Sequence, residues 1–201
     1  KGIEFRADLV QPERGAWRGR SGIHHFSRRM TVDGAEAIVP DNTVERTGLF
    51  TLQAIKVGAG FEVEAAARYE RASVRTVAPG LERRFGLWSG AAGVSWQPAD
   101  DWKIGVNHVR GARAPSPEEL LSDGVHIATQ AYELGDPAFG KEKSKGFEAY
   151  LRYTGRKAEL SLTGYVTRFD DFIAAVPTGE ERDGFPLYRY RQLPARYSGF
   201  E

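Results

Sequence analysis

The sequence contains no cysteine and only 1 methionine among its 201 residues. The missing cysteine excludes a disulfide scaffold, a thiolate zinc site and a cysteine nucleophile. An excess of charge of one sign is also lacking, because 28 lysines and arginines face 27 aspartates and glutamates. This balance argues against a protein that binds nucleic acid through net positive charge. No apolar run approaches the roughly 18 residues that a membrane-spanning helix needs.

Glycine and aromatic residues are plentiful, and both favour β-structure. The chain has 23 glycines, with 4 tryptophans, 8 tyrosines and 11 phenylalanines. Apolar and polar residues alternate along much of the chain, which predicts strands with one apolar face. The clearest strand carries Phe61, Val63 and Tyr69 on one side and charged residues on the other. We predict an all-β antiparallel meander of about nine strands and no helix, with the strands at 3–9, 17–26, 46–57, 61–76, 85–97, 102–109, 147–153, 158–176 and 187–201.

The predicted connections fall into two classes of length. Two of the strands, 61–76 and 158–176, have no internal breaker and exceed the usual length of about 5–6 residues in globular proteins. Long strands joined by short turns on one rim and long loops on the other are typical of an outer-membrane β-barrel. The tight connections are predicted at 11–16, 58–60, 98–101 and 155–156, and the longer ones at 27–45, 77–84, 114–144 and 177–186.

Aromatic spacing supports the barrel interpretation. Phe61 and Tyr69 share one face of a strand, as do Trp88 and Trp96 on the next. Each pair spans roughly 20 Å along a tilted strand, close to the apolar band of about 25 Å between aromatic girdles. The alternative is that these rings fill the core of a soluble β-protein. Bacterial barrels have an even strand number and no open edge, so we expect residues 1–201 to be part of a larger barrel.

Three stretches of the chain carry recognisable motifs. They are Arg113-Ala-Pro115 with Glu133-Leu-Gly-Asp-Pro137, Glu142 and Ser144; Gly34 to Pro40 before Gly48-Leu-Phe50; and Gln192 to Glu201. These stretches resemble segments of TonB-dependent outer-membrane receptors. In that family a strand ends in Arg-Ala-Pro, an extracellular loop follows, and a Glu-x-Gly-(Asp/Asn)-Pro motif with a later Glu opens the next strand.

The resemblance implies a 22-stranded barrel around an N-terminal plug domain. Such a receptor takes up a scarce ligand, such as a metal ion, a metal chelate (siderophore) or a vitamin, with energy delivered by TonB. Residues 1–201 match the barrel wall alone, without a plug. We therefore expect outer-membrane lipid, a small ligand or metal ion, TonB and a plug as partners, and neither a nucleic acid nor a cofactor. The alternatives are a passive porin-like barrel and, less favoured, a soluble all-β binding protein.

Histidines are the first candidates for a binding site, because imidazole is a good zinc ligand. His24 and His25 come just before a long loop, and His126 lies with Asp123 in the longest loop. If His24 and His25 share a strand they face opposite sides and cannot hold one ion. We hypothesise that one of them joins His126, with Asp123 or Glu133, in an external metal or chelate site. The alternative is that these are solvated loop histidines.

Other charged residues have weaker interpretations. His108 is expected at a rim of the barrel, and the Asp170-Asp171 pair either holds a cation or ends a strand. Arg28-Arg29 and Arg83-Arg84 are near long loops, where guanidinium groups attract an anionic chelate or a lipopolysaccharide phosphate, or simply charge the surface. No residues form a catalytic triad, a paired-carboxylate cleft or a phosphate loop, so an enzyme is not expected.

Overall fold

The computed structural model describes residues 1–32, 34, 37–78 and 80–201. Parts of the predicted loops 27–45 and 77–84, and two residues of the motif at 34–40, therefore lie outside the described residues. Eleven strands form one sheet in the order β1-β2-β3-β4-β5-β6-β9-β10-β11-β8-β7. The elements are β1 Gly2–Arg14, β2 Trp17–Met30, β3 Asn42–Gly58, β4 Phe61–Thr76, β5 Glu82–Ala99, β6 Trp102–Arg113, α1 Pro117–Leu121, β7 Asp123–His126, β8 Ala131–Leu134, β9 Glu142–Thr154, β10 Glu159–Arg182 and β11 Phe185–Phe200.

The predicted all-β antiparallel fold is confirmed, and the nine predicted strands correspond to the nine long strands. The expectation of no helix was wrong, because the loop at 114–144 contains the short helix α1 together with β7 and β8. The loop predicted at 177–186 was also wrong. There β10 and β11 continue to a tight turn at Asp183 and Gly184, whose φ angles are 52° and 80°. Two consecutive positive φ values are the geometry of a hairpin turn, for which Asp-Gly is a favoured sequence.

The two ends of the long strands differ in their connections, as the sequence predicted. On one rim, two-residue turns at 15–16, 59–60 and 100–101 and the short turn 155–158 join neighbouring strands. On the other rim the connections 31–41, 77–81 and 114–141 are longer, whereas the β10–β11 turn at 183–184 is short. We call these the short-turn rim and the loop rim.

The outer face of the sheet carries the aromatic residues of the predicted girdles. Aromatic rings meet in register across neighbouring strands: Phe61 stacks on Trp96 with 5.7 Å between ring centroids, and Tyr69 packs against Trp88 at 4.7 Å. The outer face stays apolar between these pairs, and Trp88 remains 67% exposed. The opposite, inner face is polar, and on it Arg18 donates to Glu62 over 2.7 Å. The alternation predicted from the sequence therefore separates an apolar outer face from a polar inner one.

The sheet curves around its inner face. Leu120 of α1 shares a buried cluster with Val44 of β3 and Ile173 of β10. Those two strands are five places apart in the sheet order, which is about 24 Å on a flat sheet. A single helix about 10 Å across reaches both only if the sheet bends around it. In the described part of the chain no helix is long and apolar enough to cross a membrane.

Candidate functional site

Residues 114–141, which we call the loop cap, fold onto the inner face next to the loop rim. Helix α1 begins with a capping box, in which the Ser116 side chain accepts from the Glu119 amide and the Glu119 side chain accepts from the Ser116 amide. These reciprocal bonds satisfy two amides at the start of a very short helix. Leu120, with no exposed surface, then packs between Val44 and Val74 of the barrel wall. The loop is thus packed against the wall and does not extend into solvent.

A charged fork fixes the start of the loop cap to the wall. The Arg113 guanidinium at the end of β6 donates over 2.8 Å to both carboxylate oxygens of Glu119 and also to Glu142 of β9. The buried Glu142 accepts in addition from the amide of Ile173. These paired carboxylates hold the pKa of Arg113 above its usual value, Glu119 making the largest contribution. Arg113 therefore ties together the first turn of α1 and two strands.

The family-like motif Glu133-Leu-Gly-Asp-Pro137 completes the cap by packing against α1. The amide of Gly135 donates to the Ser122 carbonyl over 2.7 Å, and that of Asp136 donates to the Glu119 carbonyl over 3.0 Å. A Cβ atom added at Gly135 would lie 2.7 Å from the Leu121 nitrogen. Only glycine permits this approach of two backbones, which accounts for the motif's central residue.

Glu133 is the centre of a hydrogen-bond cluster inside the loop cap. It lies on β8, which pairs in parallel with β11 of the wall. Its carboxylate is bonded to His126 Nδ1 over 2.8 Å and accepts from Tyr190 of β11 over 3.0 Å and from Thr129 over 3.1 Å. Burial favours the neutral form of Glu133, but the three donors outweigh it and hold its pKa below the usual value. The cluster orients the His126 ring and links the cap to the wall.

Asp123 takes part in a separate contact within the cap. It accepts a 2.6 Å hydrogen bond from the Tyr132 hydroxyl and lies 3.4 Å from the Arg182 guanidinium. The Arg182 guanidinium also stacks over the Tyr132 ring at 4.5 Å. The bond to Asp123 raises the pKa of the Tyr132 hydroxyl. Asp123 therefore connects the cap to the end of the β10–β11 hairpin.

The structure separates the histidines that the sequence singled out. His24 and His25 both lie on β2 and so face opposite sides of the sheet. His24 is hydrogen-bonded to Glu4 on the inner face, whereas His25 is bonded to Thr47 on the outer face. His126 is bonded to Glu133 in the cap, as one version of the hypothesis expected. Across the described residues, no three His, Cys, Asp or Glu side chains form a group that could hold a metal ion.

His108 and the Asp170-Asp171 pair lie on the outer side of the wall. His108 donates from Nδ1 to the Gly146 carbonyl over 3.0 Å, and its ring packs on Phe147 with 4.4 Å between ring centroids. This is the rim position expected for it. Asp170 and Asp171 lie 3.4 Å and 3.8 Å from Lys145 and Lys143, so each carboxylate of the pair has its own cationic neighbour.

Two residues that hold the cap in place were missed by the sequence reasoning. Glu119 was detectable, because Ser116-Pro-Glu-Glu119 has the Ser-x-x-Glu spacing of a capping box with a favourable proline in the first turn. Tyr190 was not, because no local pattern signals a hydroxyl on β11 that bonds Glu133, 57 positions earlier in the chain.

Replacing Glu133 with Gln should make the docking of the loop cap less sensitive to acid. The native pKa of Glu133 is depressed below its ordinary value of 4.5, so its contribution to stability is present above that value and is lost as pH falls through the native pKa. In the intact protein, amide protection of residues 114–141 should hold from neutral pH to about 5 and fall below it. In Glu133→Gln it should be lower at neutral pH and should fall less in acid, because the Glu133 contribution is already absent. Identical acid profiles for both proteins would contradict this role of Glu133.

Comparison with known proteins identifies the fold. A family model described as "TonB dependent receptor-like, beta-barrel" matches residues 3–201. The chain is 27% identical over 114 residues, or 57% of its length, to the "Hemoglobin-haptoglobin utilization protein B" of Neisseria meningitidis, of which the match covers 14%. It superposes on the hemophore receptor HasR of Serratia marcescens, crystallised with HasA and heme, with a TM-score of 0.78 at 13% identity, covering 99% of this chain and 38% of that one.

A second solved structure, the copper transporter OprC, superposes with a TM-score of 0.79 at 18% identity, covering 99% of this chain and 33% of that one. The chain thus spans about a third of these solved receptors, and at such identities the superpositions establish the fold alone. The family model extends over nearly all of the sequence. The chain therefore belongs to the TonB-dependent receptor family, as part of its β-barrel, and the barrels of this family lie in the bacterial outer membrane.

Proposed function

We propose that this chain supplies barrel wall and a ligand-contacting loop to a receptor that takes up a scarce metal ion or metal complex across the outer membrane. The observation that carries the proposal is the His126–Glu133 pair in the loop cap. A carboxylate on Nδ1 fixes the orientation of an imidazole and leaves Nε2 for a metal, which is the usual arrangement around a metal-bound histidine. The ring is 42% exposed, so a ligand from outside has access to it.

The names of similar proteins point to the same class of ligand. One similar protein is named for haemoglobin–haptoglobin utilisation, one was crystallised with a hemophore and heme, and one is a copper transporter. Each of these names includes a metal or a metal complex. With one histidine and no group of three ligands in the described residues, the chain fits a ligand that brings most of its metal's coordination with it. A metal chelate therefore suits this site better than a bare ion.

The uptake mechanism requires partners beyond these residues. We propose that the wall closes as a 22-stranded barrel around a plug domain, and that TonB supplies the energy for plug rearrangement. Polar pairs on the inner face of the wall, such as Arg18 with Glu62, then face the plug. A passive porin-like barrel is the alternative, but a cap packed across the inner face obstructs an open pore. The uptake proposal is therefore preferred.

His126→Ala in the intact receptor tests the site. We expect uptake of the receptor's ligand, assayed with haem, a ferric siderophore and zinc in turn, to fall about tenfold or more when the imidazole is lost. His25→Ala is the matched control, because His25 lies on the outer face and bonds Thr47. His24→Ala tests whether His24 takes part in the same ligand site, as the sequence analysis allowed. Unchanged uptake of all three probes by His126→Ala would refute the role of His126.

A further inference from the structure

Four cations lie side by side across the outer face of the wall. Arg110 of β6 is directly opposite Lys145 of β9, Lys145 is opposite Arg168 of β10, and Arg168 is opposite Arg196 of β11. We call these four residues the cationic row. Like charges in directly opposed positions repel and destabilise a sheet. An anion bound to such a row on consecutive strands would therefore stabilise the sheet by neutralising this repulsion.

The carboxylates near the cationic row do not balance its charge. Lys145 has Asp170 at 3.4 Å, with about half of each side chain exposed, and exposed pairs of this kind contribute little. At the β5 end, both cross-strand neighbours of Arg110 are without negative charge, since they are Gly90 and Lys145. The row therefore keeps a net positive charge after its visible partners are counted.

An opening in the wall adjoins the Arg110 end of the row. The β5–β6 ladder ends at the Gly90–Arg110 pair, although β5 continues to Glu82. Lys141 reaches into the space beyond and donates to the Gly86 carbonyl over 2.8 Å. A cavity of about 470 Å³ results, lined by Arg110, Lys141, Lys143 and Lys145. Among the described residues that line it there is no aspartate or glutamate, and the glycines and alanines of β5 and β6 keep it open.

The cationic row lies at the level of the lipid headgroups on the loop rim. His108 and Phe147 form the last outward aromatic pair on β6 and β9, with 4.4 Å between their rings. Arg110 and Lys145 are the next outward residues towards the loop rim on the same strands. Aromatic girdles mark the membrane boundary of a barrel, so the cations begin where the apolar band ends. Long loops are on the extracellular side, which places the row in the outer leaflet.

We propose that the cationic row and its adjoining cavity bind the phosphorylated headgroup of lipopolysaccharide. Guanidinium groups bind phosphate oxygens bidentately and ammonium groups bind them as point charges. The phosphates of one glycolipid supply the counter-charge that the row lacks. The cationic row faces lipid, on the opposite side of the wall from the Glu133–His126 pair, so its role does not depend on which ligand the receptor imports. Lys141, the last residue of the loop cap, reaches the adjoining cavity.

The test compares the intact receptor with Arg110→Gln/Lys145→Gln/Arg168→Gln in lipopolysaccharide-free detergent and after adding purified lipopolysaccharide. Each cation near a charged membrane surface accounts for about a fivefold change in affinity, so the triple variant should bind lipopolysaccharide about a hundredfold more weakly. Without lipopolysaccharide its melting temperature should equal or exceed that of the native receptor, because the repulsion is relieved. The native receptor alone should gain thermal stability when lipopolysaccharide is added.

Controls separate charge from fold and lipid from free phosphate. Arg156→Ala/Lys157→Ala removes two cations from the short-turn rim and should keep native affinity, whereas Arg110→Lys/Arg168→Lys should keep most of it. Equal lipopolysaccharide affinity in the native and triple-variant receptors would overturn the proposal. So would equal stabilisation by inorganic phosphate or by phosphatidylglycerol nanodiscs, which would indicate a general anion site. If the triple variant does not fold, Lys145→Gln alone should still lose affinity about fivefold.

Discussion

Leu120→Ala is expected to release the loop cap from the barrel wall. Leu120 is fully buried and belongs to one hydrophobic cluster with Val44 of β3, Val74 of β4 and Ile173 of β10. Truncating a buried leucine to alanine costs about 2–5 kcal/mol. A helix as short as α1 has almost no stability of its own, so this loss is concentrated on docking of the cap. Amide protection across residues 114–141 should fall by at least about thirtyfold in hydrogen exchange of the intact receptor.

Ile127→Ala is the matched control for this prediction. Ile127 belongs to the same loop but is 48% exposed, so its truncation should leave protection of the cap within about twofold, as is usual for surface changes. Protection of β2 to β6 and of β9 should be unchanged in both variants, because each of these strands is paired on both sides with other long strands. If Leu120→Ala leaves the cap as protected as Ile127→Ala does, the packing of Leu120 does not hold it in place.

The barrel wall was predictable because its signals are local and repeated. Apolar and polar residues alternate from Phe61 to Tyr69, with Ala66 as the one exception, and this alternation fixes which face of β4 each residue occupies. Tight turns such as Ala59-Gly60 are marked by glycine. The spacing of Trp88 and Trp96 placed both in outward positions opposite Tyr69 and Phe61. Each inference needed only residues that are close together in the sequence.

The one misjudged connection of the wall also had a local signal. Residues 177–186 contain two prolines and two glycines, which suggested a loop. Pro177 is nevertheless accommodated within β10 opposite Tyr188, and the Asp183-Gly184 turn closes the hairpin. The Asp-Gly dipeptide indicates a hairpin turn more strongly than the content of proline and glycine indicates a loop.

The loop cap was predictable only in part, because its determinants are non-local. Helix α1 is 5 residues long, too short to show a helical period. The parallel pairing of β8 with β11 joins Tyr132 to Leu187, and no sequence pattern specifies that pairing. The sequence grouped His126 with Asp123 or Glu133 as a hypothesis, and it could not exclude His24 and His25 from one site until both were seen within β2.

The resemblance motifs gain a physical explanation from the cap. Arg113 and the Glu133-to-Pro137 motif are 20 residues apart along the chain, yet both contact α1, the first through Glu119 and the second through Gly135. The motifs therefore specify a docked loop in addition to marking strand ends. The docked loop in turn positions the Glu133–His126 pair. The side chain proposed to contact ligand thus depends on an ion pair at the opposite end of the cap.

Arg113→Met should weaken the docking of the loop cap more than replacement of any other charged residue that holds it. The substitution leaves Glu119 and the buried Glu142 without their shared cation, although they keep their backbone hydrogen bonds. Breaking a fully buried pair costs about 3–5 kcal/mol. Because 42% of the Arg113 side chain is exposed, we expect about 2–3 kcal/mol, the range for hydrogen bonds to charged groups. Hydrogen exchange of residues 114–141 reports the loss, and ligand affinity should fall with it.

A double-mutant cycle and a surface control identify the cause. Arg113→Met/Glu142→Gln should recover part of the lost protection, because the uncompensated buried charge is removed along with its partner. Arg113→Lys keeps the charge but cannot form the fork to two carboxylates, so it should fall between Arg113→Met and the native protein. Arg84→Met removes an arginine that is 77% exposed and pairs with Glu82, and should change little. If Arg113→Met and Arg84→Met have the same small effect, the fork does not anchor the cap, and the orientation of His126 must rest on Leu120 and Glu133 alone.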